Sequence, residues 1–88
     1  MVGFEEVWGR IEHHAGEEFH QIRGKTFRYE IQSGTLIPDT TNRNLAKSQF
    51  EKAFSLVPLD STVPVQHLQG PSYLYAILMD ARIRRDDW

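Results

Sequence analysis

The amino-acid sequence predicts an α+β fold, in which a three-stranded antiparallel meander is packed on one face by an N-terminal helix and two to three C-terminal helices. Two patterns support this prediction. Apolar residues recur every three to four positions near both ends of the chain, as in amphipathic helices, and alternate with polar residues in the middle, as in a half-buried strand. At 88 residues, 40% hydrophobic and 25% charged, the chain has the size and composition of one globular domain over residues 1–88.

The first helix is predicted from Phe4, Val7, Trp8 and Ile11, whose spacing places all four on one face. Acidic residues in its first turn and histidines in its last turn complement the helix dipole. Gly16 follows where a left-handed residue commonly ends a helix. We therefore expect one amphipathic helix that stops before Gly16.

The central strand is predicted from Phe27, Tyr29 and Ile31, which alternate with polar residues and so share one face. The dipeptide Ser33-Gly34 follows as a tight-turn signal. The flanking strands of the meander are predicted at residues 18–22 and 35–37, the second ended by Pro38.

The second half of the chain predicts helices. Ser48 and Glu51 have the spacing of a capping box, in which each residue caps the start of the same helix. A short helix is expected over residues 63–68, and Pro71 suits the first position of a last helix. Residues 80–88 either fray or dock through Ile83 and Trp88. The predicted core contains Phe4, Val7, Trp8, Ile11, Phe19, Phe27, Tyr29, Ile31, Phe50, Phe54, Leu74, Ile77 and Leu78.

Charge is unevenly distributed along the chain. Residues 1–22 contain five acidic residues and one arginine, a net charge of −4, and residues 23–52 contain six basic and three acidic residues, a net charge of +3. The whole chain carries −2. An acidic segment followed by a basic one gives a dipolar surface, and such asymmetry can mark a binding face.

The motifs of several enzyme classes are missing from the sequence. The chain has no cysteine, which removes disulfides, thiolate metal sites and thiol chemistry. His13 and His14 are adjacent, so on a helix they diverge instead of converging on a metal. Ser72 lacks the surroundings of a nucleophile elbow, and phosphate-binding glycine loops do not occur. We therefore expect a non-enzymatic protein with no catalytic residues, no cofactor and no metal.

Nothing in the sequence predicts export or membrane insertion. The first residues are acidic and lack the apolar stretch of a signal peptide. No apolar run approaches the ~20 residues that a spanning helix needs. The expectation is a cytoplasmic protein with no membrane partner.

Basic residues of the predicted hairpin and of the loop beyond it are candidates for binding nucleic acid, because cations track phosphates and Asn or Arg can contact base edges. The alternative is that these side chains solvate a small sheet and pair with Glu30, Asp39 and Glu51. The nucleic-acid-binding candidates are Arg23, Lys25, Arg28, Arg43, Asn44 and Lys47.

A second candidate function is a protein-interaction or homodimerisation module without nucleic acid. Residues 73–79 carry no charge and are apolar nearly all round, which is typical of a helix buried on several sides. Either the core or a second subunit could bury this helix. The interface candidates are Tyr73, Tyr75 and Met79.

Several short motifs resemble a pattern found in small uncharacterised bacterial proteins. They are GKxFxY at 24–29, TxRxL at 41–45, SxFExA at 48–53, GPSY at 70–73 and ILxDxRI at 77–83. Similar segments occur in larger bacterial proteins of the mobile or defence gene pool. The resemblance implies a bacterial origin and an accessory, horizontally carried gene, and it carries over no catalytic residues.

Overall fold

The computed structural model describes residues 2–88. One helix precedes the strands and the other helices follow them, so the chain has the α+β architecture that its sequence predicts. The elements are α1 (Phe4–His13), β1 (Phe19–His20), β2 (Thr26–Phe27), β3 (Tyr29–Gln32), β4 (Thr35–Pro38), β5 (Leu45–Ala46), α2 (Lys47–Phe54), a 3-10 helix (Val63–Val65), α3 (Pro71–Leu78) and α4 (Ala81–Arg84).

The strands form two antiparallel sheets. The three-stranded sheet has the order β3-β4-β5, with Tyr29 opposite Pro38 and Leu36 opposite Leu45. Strands β1 and β2 form a separate two-stranded hairpin. A three-stranded antiparallel sheet is therefore confirmed, but its central strand is β4 and not the strand predicted from Phe27, Tyr29 and Ile31. The first strand predicted at residues 18–22 is only two residues long and is not part of this sheet.

Arg28 interrupts the strand between β2 and β3. Its carbonyl accepts a hydrogen bond from the Asp39 backbone at 2.9 Å, but its own N–H donates to the Asp39 side chain, Oδ1, at 3.0 Å. A side-chain oxygen thus takes the place of the backbone acceptor that a continuous ladder would supply. The hairpin β1–β2 is consequently separate from the larger sheet.

The predicted turn between β3 and β4 is confirmed. Ser33 and Gly34 have φ values of 51° and 75°, the left-handed pair that a two-residue type I′ hairpin requires. This turn also contacts the first residue of α2, because the Lys47 N–H donates to the Gly34 carbonyl at 3.0 Å.

The capping box predicted at Ser48 and Glu51 is wrong. Helix α2 begins at Lys47, Ala46 precedes it, and no side chain caps its first turn. Ala46 is opposite Thr35 in the sheet, so the chain passes directly from β5 into the helix. Strand pairing therefore decides where α2 starts.

Helix α1 stops before Gly16, as predicted, with His13 as its last residue. Gly16 has a φ of +88° and donates its N–H to the Tyr29 carbonyl. The helix expected over residues 63–68 is a three-residue 3-10 turn. Pro71 is the first residue of α3, as predicted.

The buried residues form one hydrophobic cluster, to which the sheet, the hairpin and the helices all contribute. Most of the predicted core is fully buried, and Phe4, Ile31 and Phe54 are half-buried against it. Seven further buried residues lie outside the predicted core: Leu36, Leu45, Ala53, Leu59, Val65, Ala76 and Ile83.

The C-terminal residues dock onto α1 and α2. Ile83 is fully buried, and its carbonyl accepts a hydrogen bond from the Arg10 guanidinium at 2.8 Å. The same guanidinium contacts the Asp87 carboxylate at 2.7 Å. Trp88 donates from Nε1 to the Leu78 carbonyl at 2.8 Å and packs edge-on against Phe54. The tail is therefore part of the fold.

Gly70 has little room for a side chain. Its φ is +59°, and a Cβ atom would lie 2.8 Å from Cδ2 of the fully buried Leu45. We expect Gly70→Ala to lower the free energy of unfolding by more than the ~1–2 kcal/mol that a left-handed alanine costs by itself. Urea unfolding followed by circular dichroism measures the loss.

Gly34→Ala is the matched control, because Gly34 has a φ of +75° and nothing within 4 Å of its added Cβ. Gly34→Ala should lose only the stability that a left-handed alanine backbone costs, about 1–2 kcal/mol. Equal losses in the two variants would contradict a steric role for Leu45.

Candidate functional site

An open cleft of about 440 Å³ lies between the β1–β2 connection and the helices that follow the sheet. We call it the hairpin cleft. One wall is the hairpin tip, residues 21–25. The cleft is lined by Gln21, Ile22, Arg23 and Lys25 from the tip and by Thr62, Gln66, Pro71 and Ser72 from the opposite wall.

The hairpin tip is a compact turn. The Gln21 N–H donates to the Lys25 carbonyl at 2.7 Å, and the Gly24 N–H donates to the Gln21 carbonyl at 2.8 Å. Gly24 has a φ of +90°, which a side chain would strain. This geometry holds Arg23 and Lys25 on either side of Gly24.

The opposite wall is fixed by local hydrogen bonds and by the core. The side chain of Gln66 donates from Nε2 to the Thr62 hydroxyl at 3.1 Å. Val65, which lies between them in the chain, is fully buried. The polar groups on this wall are uncharged.

The hairpin cleft is lined by two positively charged side chains. Arg23 and Lys25 are exposed, and neither side chain makes an ion pair or a hydrogen bond within residues 2–88. Among the described residues that line the cleft, none is acidic. The arrangement suits an anionic ligand.

Two other predicted candidates already have partners. The Arg28 side chain donates to the Gly16 carbonyl at 2.8 Å and lies 3.8 Å from the Glu18 carboxylate. Lys47 donates to Glu5 at 3.0 Å, with its Nζ 5.8 Å from the Trp8 ring centre. Both are therefore less available to a ligand than the cations of the cleft.

The remaining candidates, Arg43 and Asn44, are exposed in the loop between β4 and β5. They do not line the hairpin cleft. Their loop is tied to its far wall, because Thr40 shares a 2.7 Å hydrogen bond with the hydroxyl of Tyr73, the residue after Ser72. The structure thus groups Arg23 with Lys25, and Arg43 with Asn44.

A second groove, of about 400 Å³, crosses the sheet beside Arg28. Its lining mixes that arginine with Glu30 and Asp39. None of the ion pairs that were expected between the basic candidates and Glu30, Asp39 or Glu51 forms among residues 2–88. The mixed charge makes this groove a weaker anion site than the hairpin cleft.

Arg82 organises a charged cluster that sequence reasoning missed. Its guanidinium donates to both oxygens of Asp80 at 2.9 Å, to Glu17 at 3.0 Å and to the Glu18 carbonyl at 2.8 Å. It also lies 3.8 Å from the ring centre of Phe19. Glu17 and Glu18 are 65 and 64 residues away in the chain, so only the short Asp-x-Arg spacing could have signalled part of the cluster.

The pKa values in this cluster favour the charged forms. Hydrogen bonding to Asp80 raises the pKa of Arg82. Burial alone would raise the pKa of Asp80, but the hydrogen bonds and charge of Arg82 outweigh it and lower that pKa. A hydrogen bond with His14, and then one from Arg82, lowers the pKa of Glu17. A cluster held charged in this way fastens the segment between α1 and β1 to α4.

The interface candidates Tyr73, Tyr75 and Met79 are half-buried within one chain. The Tyr73 ring packs edge-on against Phe27, 4.9 Å between centres. The Met79 sulfur accepts a hydrogen bond from the Leu59 N–H at 3.4 Å. Helix α3 therefore buries most of its apolar surface against its own core.

Within residues 2–88, no cluster of three metal-ligating side chains is present. His13 and His14 stack edge to face, and Nδ1 of His14 lies 2.9 Å from the Glu17 carboxylate. Within the same range, no helix is both long and apolar enough to cross a membrane.

Comparison with known proteins returned no match: no family model, no curated protein and no solved structure is significantly similar to this chain. The bacterial resemblance of the sequence stays a prediction. The arrangement of the side chains is therefore the basis for proposing a function.

Asp80 has two separable roles, since it caps α4 by accepting from the Arg82 N–H and also pairs with the Arg82 side chain. Asn caps a helix as well as Asp but lacks the charge. We expect Asp80→Asn to lower the free energy of unfolding at neutral pH by about 1–2 kcal/mol.

The difference in the free energy of unfolding between wild type and Asp80→Asn should depend on pH. Because the pKa of Asp80 is lowered by folding, its contribution is complete above the unfolded value of about 4 and disappears as pH falls through the folded value. The two free energies of unfolding should therefore converge as pH falls, and urea unfolding at a series of acidic pH values measures this. Asp60→Asn, at an exposed site, is the control, and parallel stability curves for wild type and Asp80→Asn would refute the prediction.

Proposed function

We propose that this protein is a non-enzymatic nucleic-acid-binding protein that holds the phosphate backbone in the hairpin cleft through Arg23 and Lys25. One observation carries the proposal. Two exposed cations without carboxylate partners share one open cleft, and its described lining contains no acidic side chain.

The chemistry of the two cations suits phosphates. A guanidinium can donate two parallel hydrogen bonds to one phosphate, and an ammonium acts as a mobile point charge beside it. Neither Arg23 nor Lys25 has to break an ion pair before binding. Arg28 and Lys47 would have to give up contacts with Glu18 and Glu5.

A second contact region extends the proposed surface. Arg43 and Asn44 are exposed on a loop anchored through Thr40 to Tyr73, beside the far wall of the cleft. Arg43 can contact a further phosphate, and Arg or Asn can donate to a base edge. A ligand longer than the cleft would thus gain added contacts.

The overall charge limits the strength of binding. The protein has a net charge of −2, and much of its acidity lies in residues 1–22. Its attraction for a polyanion is therefore local to the cleft, and the affinity should fall steeply with salt.

The biological setting is part of the same proposal. The similarity of its motifs to those of small bacterial proteins supports a bacterial accessory role, and the lack of cysteine is compatible with the reducing cytoplasm.

The double variant Arg23→Ala/Lys25→Ala tests the proposal. We expect it to weaken binding of a labelled oligonucleotide at low salt by at least about tenfold, since two charge-assisted phosphate contacts are lost. The slope of log K against log salt should fall in magnitude by about 1–2. Fluorescence anisotropy between about 50 and 200 mM salt measures both quantities.

Lys52→Ala is the matched control. Lys52 is an exposed lysine on α2 that does not line the cleft, so its loss should change affinity by less than about twofold. If wild-type protein binds no oligonucleotide at low salt, or if Lys52→Ala weakens binding as much as the double variant, the proposal is wrong.

A further inference from the structure

The hairpin cleft combines its cations with an apolar surface. Ile22 lines the cleft, directly before Arg23 in the chain, and is 53% exposed. Val63, 71% exposed, follows Thr62 of the opposite wall. Within residues 2–88 the remaining exposed large hydrophobic side chain is Leu56, which is 41% exposed and does not line the cleft.

From this combination we infer that the hairpin cleft selects single-stranded over double-stranded nucleic acid. The inference rests on the proposed function and adds the class of ligand. Arg23 and Lys25 contact the backbone, and Ile22 packs against the face of an unpaired base. Base faces are available to a protein only in an unpaired strand, because in a duplex neighbouring bases cover them.

The shape of the site supports the same choice. The cleft is concave, with the hairpin tip on one side and the Thr62–Gln66 turn and Ser72 on the other. A single strand is flexible and can bend its backbone and an unpaired base into a concave cleft, whereas a duplex is stiff, with a persistence length of about 150 base pairs, and keeps its bases stacked.

The polar groups complete a site that recognises strandedness more than sequence. Both cations are on the hairpin tip, and the opposite wall offers the uncharged side chains of Thr62, Gln66 and Ser72. Phosphate contacts carry no sequence information, and an aliphatic platform accepts any base. The described lining contains no aromatic residue, so the apolar contribution is moderate.

The test compares one labelled oligonucleotide of mixed sequence with the duplex formed with its complement, at equal low salt. We expect the wild-type protein to bind the single strand at least about fivefold more tightly. Ile22→Ala should weaken single-strand binding about threefold or more and leave duplex binding unchanged, because only an unpaired base contacts that side chain.

Two further variants sharpen the result. Leu56→Ala, which removes an exposed aliphatic side chain outside the cleft, should change neither affinity. Ile22→Phe enlarges the apolar platform at an exposed position and should tighten single-strand binding.

The outcomes separate the inference from the proposed function. Equal affinity for single strand and duplex, lost together in Arg23→Ala/Lys25→Ala, would overturn single-strand selection and leave nucleic-acid binding intact. Single-strand binding unaffected by both Ile22 variants would also overturn it. No binding of either ligand would overturn both proposals.

Discussion

The hairpin cleft depends on the edge-to-face contact between Phe27 and Tyr73. Their ring centres are 4.9 Å apart, and Phe27 is almost fully buried. The contact joins the β1–β2 hairpin to the first turn of α3, where Tyr73 also binds the loop through Thr40. Since each strand of this hairpin has only two residues, backbone pairing alone is too little to hold it in place. Aromatic packing fixes the distance between the two walls.

Acidic residues of the N-terminal segment form ion pairs with basic residues of the same chain. Glu5 pairs with Lys47, Glu6 with the buried Arg10, and Glu17 with Arg82. The first pair links α1 to α2, and the last links the segment after α1 to α4. The Glu6 pair lies within α1, where Arg10 also contacts Asp87 of the tail. The charge asymmetry seen along the sequence is therefore partly neutralised in the fold, whereas Arg23 and Lys25 of the hairpin tip have no carboxylate partner among residues 2–88.

Elements with a clear repeat could be predicted from the sequence, whereas those set by distant contacts could not. The spacing of Phe4 to Ile11 predicted α1, and Ser33-Gly34 predicted the hairpin turn. Strand β5 was missed because two residues, Leu45 and Ala46, show no periodicity. The start of α2 was misplaced because pairing of Ala46 with Thr35 outweighs a local capping pattern.

In the candidate site, too, the features that depend on distant contacts could not be predicted from the sequence. The sequence identified Arg23 and Lys25 as basic residues but could not separate them from Arg28 and Lys47. The difference lies in partners that are far away in the chain, such as Glu5, 42 positions from Lys47. The far wall, Thr62 to Ser72, carries no charge pattern and gave no signal of its own.

The turn at residues 21–25 has a consequence for how this protein can diversify. Its hydrogen bonds are all within the turn, from Gln21 to Lys25 and from Gly24 to Gln21. Its side chains are exposed or half-buried, whereas the anchoring aromatic rings lie in β1, β2 and α3. Folding and the proposed recognition are thus assigned to different residues. Under that proposal, ligand preference can change by substitution at Ile22, Arg23 or Lys25 with little effect on the core, as in loops carried on a rigid scaffold.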